Sequence, residues 1–212
     1  MTTPPSTDSA IDLDTLLFVL RERPGAHKED DSPVLVAPFD VPLPGGASAT
    51  MAPAWFDLVG DLQLRLVRSA PDYVYTLHAS ELEALKLDVD EALATALANL
   101  HRLHGAPGAS PWHNLQRVGG RSEDVDSAYL MDRAFWRARL AEHPEGLVAA
   151  VPRTDLLLFA PLADTAAVDG MRRGVPGLQA GGGDYRLSSA LYLFKDDRWR
   201  VFQPAAPTPV AA

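Results

Sequence analysis

Leu147-Val148-Ala149-Ala150-Val151-Pro152-Arg153-Thr154-Asp155-Leu156-Leu157-Leu158-Phe159 is the stretch that decides the fold. An apolar run enters Pro152-Arg153-Thr154-Asp155 and a second apolar run leaves it. Proline presets φ for a turn, and aspartate accepts backbone hydrogen bonds there, so these four residues read as the tip of a hairpin. A strand with one wet face alternates apolar and polar residues. These two runs do not alternate, so both are expected to be central strands covered on both faces.

Outward from this hairpin, the pattern continues in both directions. Downstream, Asp164 or Thr165 caps a helix expected to reach about Arg173. After the Gly181-Gly182-Gly183 loop, Ala190–Phe194 and Trp199–Phe202 flank Lys195-Asp196-Asp197 as a second hairpin. Upstream, Asp124, Asp126 or Ser127 opens a helix carrying Leu130, Phe135 and Leu140, closed by Pro144 and Gly146. Trp112–Val118 reads as a strand broken by Gly119-Gly120. Asp88 caps a helix ending near His104, with Leu93, Leu97, Leu100 and Leu103 on one face. Ser80 and Glu83 have capping-box spacing for a short helix through Leu85. Leu62, Leu64 and Leu66 alternate with more polar residues, and Tyr73–Leu77 is β-rich, so the turn at Ser69–Asp72 makes a third hairpin.

The N-terminal third is less regular. Leu13, Leu16, Leu17 and Leu20 have helical spacing, which predicts a helix over 11–23 that stops at Pro24-Gly25. Pro33, Pro38, Pro42, Pro44 and Pro53 crowd the following stretch. Proline lacks a ladder donor, so 24–54 is expected to be irregular surface chain with at most an edge strand at Val34–Val36. Residues 1–10 and 204–212 read as loose tails. The fold class expected is α+β: one domain over 11–203, with 55–203 as its core. Its sheet is mixed and largely antiparallel, built from hairpins, with helices mainly on one face.

Composition bounds the function classes. The chain has 212 residues, 47% hydrophobic, with a net charge of −9 and no cysteine. Cysteine ligands, thiolate nucleophiles and disulfides are excluded. The acidic balance argues against nucleic acid as a partner. No apolar stretch spans a bilayer, and Met1–Ala10 lacks the pattern of a secretory leader, so a cytoplasmic protein without membrane contact is expected.

The order of short blocks also resembles the YtpQ-like family of uncharacterised bacterial proteins. Gly60-Asp61-Leu62 leads a hairpin, Leu82, Leu85 and Leu87 run into Glu91, Ala98 and Asn99, and Ala128, Leu130 and Asp132 precede Leu147–Leu157. Pro152 and Asp155 match the family's strand, Pro, two residues, Asp, strand arrangement. The likeness covers about Gly60 to Val175. It implies a bacterial cytoplasmic setting and a fold type, and no activity.

Five residues are the candidate site: His101, His104, His113, Arg153 and Asp155. Two histidines three apart plus a third is a set that can ligate zinc. No H-E-x-x-H arrangement accompanies them, and cationic residues near a helix C-terminus are favourable without a metal. Arg153 and Asp155 form a charged pair at a rigid hairpin tip, and both are also ordinary turn residues. Acidic groups at 29–31 and 123–126 read as a solvated loop and helix-capping carboxylates. Gly181–Gly183 follows a helix and precedes a strand, the reverse of a dinucleotide loop. Arg198, Trp199, Arg200 and Phe202 alternate as an edge strand does. No cofactor is called for. The expected function is a non-catalytic protein-binding module, meeting a partner or a second copy through a sheet edge or the Pro-rich segment. The alternative is a hydrolase-type enzyme, metal-dependent or not, built on the five residues.

Overall fold

In the computed structural model, which describes residues 12–69 and 74–206, strands and helices follow one another as local sequence dictates, with instructive exceptions. The strands are β1 (Leu16–Glu22), β2 (Val34–Leu35), β3 (Phe39–Pro42), β4 (Ser48–Met51), β5 (Trp55–Asp57), β6 (Leu62–Ser69), β7 (Val74–Thr76), β8 (Gly108–Trp112), β9 (Leu115–Gly119), β10 (Leu147–Arg153), β11 (Leu156–Pro161), β12 (Leu191–Lys195) and β13 (Arg198–Gln203). The helices are α1 (Ala79–Leu85), α2 (Val89–His104), α3 (Arg133–Glu142) and α4 (Thr165–Ala180), with 3-10 turns at Leu13–Thr15, Glu123–Met131 and Gly183–Tyr185. The architecture is α+β, and the strand pairs among the described residues are antiparallel.

A six-stranded sheet in the order β13-β12-β10-β11-β9-β8 has the Leu147–Phe159 hairpin at its centre. Its unbroken apolar runs are explained by cover on both sides. Val148, Ala150, Leu158 and Ala160 meet Ala167, Val168, Met171 and Val175 of α4. Leu147, Ala149, Val151, Leu157 and Phe159 face the other way, into a cluster with Trp136, Tyr192, Phe194 and Trp199. Trp136 stands edge-on to Trp199 at 4.9 Å and to Phe159 at 5.4 Å. Both indoles are buried, and each N–H finds a backbone carbonyl: Trp136 donates to Tyr129 (2.9 Å) and Trp199 to Leu130 (3.0 Å). A buried indole without such a partner would cost stability.

The same cluster takes in Leu16, Phe18, Leu20, Leu62, Leu64 and Leu66 of a second, five-stranded sheet, ordered β1-β6-β5-β2 with β7 also on β6. The two sheets therefore share one core. α2 packs on β1, and the Asn99 amide donates to the carbonyls of Leu13 (2.7 Å) and Leu16 (2.9 Å).

The exceptions have physical causes. The helix expected over 11–23 is instead a 3-10 turn, with Asp12 accepting from the Asp14 N–H, followed by β1. Leu16 and Leu20 fit a period of two as well as four, and pairing β1 with β6 from Leu16 to Glu22 wins. The stretch 24–54, expected to be irregular, carries the edge strand β2 as Val34–Leu35 and an unforeseen hairpin, β3–β4. Its prolines are tolerated because Pro42 ends a strand and Gly45 and Gly46 supply the positive φ of the turn (+91° and +84°). Trp112–Val118 is not one strand but the β8–β9 hairpin, turned by His113 at φ +53°. The helix expected from 124 to 140 is split into the 3-10 turn and α3, because Asp132 accepts from the Phe135 N–H (3.0 Å) and starts a new helix. α1 begins two residues earlier than the Ser80–Glu83 spacing suggests, with Glu81 accepting from the His78 N–H at 2.7 Å. α4 runs past Arg173 to Ala180 with Pro176 inside it. The expected tails at 1–10 and 207–212, and positions 70–73 of the third hairpin's turn, lie outside the described residues. Ala206 is described, and its N–H donates to Ser189 Oγ (2.8 Å).

Candidate functional site

The five candidate residues fall at three separate places: the end of α2, the β8–β9 tip and the β10–β11 tip. His101, in the last turn of α2, sets Nε2 2.7 Å from Asp132 Oδ2, and the Asp132 side chain is 3% exposed. A carboxylate only accepts, so that nitrogen carries the proton. Since Asp132 also caps α3, the pair clamps α2 to α3. His104 ends α2, and its carbonyl accepts from the Arg121 N–H (2.6 Å) and Tyr129 hydroxyl (3.3 Å). Burial, then the nearby Arg121 charge, hold its imidazole below the usual histidine range. His113 lies at the β8–β9 tip, edge-on to Trp112 at 4.7 Å. The length of β9, Leu115–Gly119, lies between it and the Gly119 end, about 13 Å at the usual strand rise. Arg153 and Asp155 form a two-pronged ion pair (2.8 and 2.5 Å) across their own hairpin tip. The histidines therefore do not converge. Among the described residues, no three of His, Asp or Glu are grouped so as to hold a metal.

Two buried carboxylates have roles the sequence reading did not give them: Asp126 was expected to be a helix-capping group, and Asp61 was noted only at the entry to a hairpin. Asp126 accepts from Arg117 Nη2 (3.0 Å) and the Gly120 N–H (3.3 Å), while Arg117 also donates to the Asp155 carbonyl (3.2 Å). Burial pushes the Asp126 carboxyl up to about 6, against the pull of Arg117 and Gly120. A Cβ on Gly119 would come within 2.8 Å of Asp126 Oδ2, so the glycine makes room for this joint between β9, the 3-10 turn and the β10–β11 tip.

Asp61 is the second. It accepts from the Ser188 hydroxyl (2.7 and 2.9 Å) and the Tyr192 hydroxyl (2.6 Å), all three groups buried. Ser188 Oγ in turn accepts from the Ala190 N–H (2.9 Å). Burial, with the Asp61 charge beside it, lifts the Tyr192 phenol well above its usual range, so it stays a donor. Ser188 is wholly buried and its hydroxyl is committed to Asp61, which makes it a poor nucleophile. Glu22, opposite Leu62 on β1, lines a pocket of about 240 Å³ with Asp61, His27 and Val201. Its carboxyl is raised by burial and then by Asp61, and lowered by Arg186 at 3.8 Å. The network joins β6 to the chain entering β12, and the lone pairs of Asp61 are used in holding it.

The third feature is a surface. β1 occupies one side of β6 from Leu62 to Arg68, so β5 and β7 both lie on the other side. On β2 and β7 stand the exposed Val34 (50%), Leu35 (49%), Val74 and Tyr75, and on the neighbouring β3 and its turn Phe39 (37%) and Leu43 (45%). β3 and β4 pair with each other and contribute no buried residue. At the foot of this arm, Phe39 lies 5.7 Å from Trp55, which carries the Arg65 guanidinium over its ring at 3.8 Å. Between Pro33 and Ala54 the one charged residue is Asp40, and its carboxylate accepts from Thr50 Oγ1 (2.7 Å).

No family model, curated protein or solved structure matches the chain. No helix among the described residues is long and apolar enough to cross a membrane.

Proposed function

We propose that the protein is a non-catalytic interaction module that docks another polypeptide on the arm formed by β2, β3 and β4. One observation carries this reading. An apolar, almost uncharged hairpin stands on the edge of an otherwise acidic molecule with no buried residue of its own. A two-stranded hairpin alone is marginal in water, and exposed apolar patches of this kind mark association surfaces. β2 also ends its sheet, so its outer backbone groups can accept an added strand. Kinship with the YtpQ-like family and a cytoplasmic setting belong to the same proposal and add no activity to it. The hydrolase alternative needs the five residues to meet, and their separate partners give it no support.

A photo-activated cross-linker placed at Phe39, in the cells that make the protein, tests the reading. The expected result is a polypeptide adduct at Phe39 and none from the same probe at Tyr185, which is exposed but off the arm. Equal or absent adducts at both positions contradict it.

A further inference from the structure

We infer that the polypeptide docked on the arm is a second copy of this chain, related by a twofold axis beside β2. The inference rests on the docking reading above and names its occupant.

Charge is the first argument. Two molecules each carrying a net −9 repel at most orientations. The face from Pro33 to Ala54 carries one carboxylate, already bonded to Thr50, so two copies can meet there without apposing their acidic surfaces. A cationic partner would find little to recognise on the same face.

Shape is the second. β2 runs antiparallel to β5 and leaves its other edge unpaired among the described residues. A twofold axis beside that edge sets β2 against its own copy, so that the exposed Leu35 of each molecule meets its counterpart on one face of the joined sheet and Val34 on the other. Such an isologous contact closes at two. Pro33 and Pro38 bracket β2 and lack the N–H that would extend the ladder. The arm is therefore built for side-chain contact with a short shared ladder, and against fibre growth.

Sedimentation equilibrium on the purified chain across the micromolar range tests the inference. The expected species has twice the 22.9 kDa chain mass. The double variant L35K/F39E is expected to associate at least about tenfold more weakly, because interface energy concentrates in a few large apolar residues. Its circular dichroism should be unchanged, since neither Leu35 nor Phe39 belongs to the buried core that holds the sheets together. Y185K, off the arm, should remain dimeric. A wild-type chain that stays monomeric throughout overturns the inference, as does a dimer that survives L35K/F39E. If the chain is monomeric while the Phe39 cross-linker captures a different polypeptide, docking on the arm stands and self-association falls. If it is monomeric with no adduct, both fall.

Discussion

Asp126 shows how a single carboxylate can set the acid response of a joint. Its folded pKa of about 6 lies above the roughly 3.9 of an unfolded aspartate. The folded state therefore binds more protons between those values. The stability this group contributes is full below about pH 4 and is lost as pH rises through about 6. Asp126→Asn should flatten that part of the profile, by an amount on the order of 3 kcal/mol at most. Urea unfolding of wild type and variant from pH 4 to 7 checks it, and parallel curves would contradict it. His104, whose pKa is depressed, acts in the opposite sense as pH falls below about 6.5, which is why the comparison must be with the variant.

Gly60 is a residue whose identity its backbone and its neighbours constrain. It sits at φ +63°, and a Cβ there would come within 3.0 Å of Tyr192 Cε1. Gly60→Ala should cost about 1–3 kcal/mol through strain and displacement of Tyr192. Thermal unfolding measures this, and an unchanged Tm would show that the Asp61–Ser188–Tyr192 network tolerates movement. The residue scale was only partly legible in sequence. Arg153 and Asp155 are two apart, so their pairing followed from the turn. Asp61 bonds Ser188 and Tyr192 across 127 and 131 positions, a distance no local pattern spans.

Elements were legible where one periodicity excluded the other. Leu147–Val151 and Leu156–Phe159 lack polar residues, so they fit only a strand covered twice, and α4 with the aromatic cluster supplies the two covers. Asp88 was readable as the α2 cap because its partner is three residues away: the Glu91 N–H donates to it at 2.8 Å. β1 was not readable, because its leucines satisfy helix and strand alike and its partner β6 lies far downstream. The break between the 3-10 turn and α3 was hidden for a related reason. Asp132 looks like one more polar residue until its caps and its tie to His101 are seen. Asp132→Ala removes both, and should lower stability by about 1–3 kcal/mol. Chemical denaturation checks the value, and a loss no greater than that of His101→Ala would mean the cap contributes nothing.

For the whole molecule, the two sheets and α3 meet around Trp136. Its replacement by alanine should cost about 3–5 kcal/mol, as a large buried aromatic does, and should loosen both sheets together. Unfolding followed by hydrogen exchange at β6 and β11 should report one transition; two separate ones would divide the core. β3 and β4 pair only with each other and add no side chain to this core, and the prolines that made the arm look irregular are also what keep its edge short.

The docking claim is tested most directly by hydrogen–deuterium exchange over residues 34–51, in extract of the producing cells and after high dilution of that extract. An isolated hairpin opens at almost no cost, so its amides exchange fast unless something covers it. The account predicts slow exchange from Val34 to Met51 in the extract, lost on dilution, while β10 and β11 stay protected throughout. Fast exchange along the arm in both conditions would contradict it.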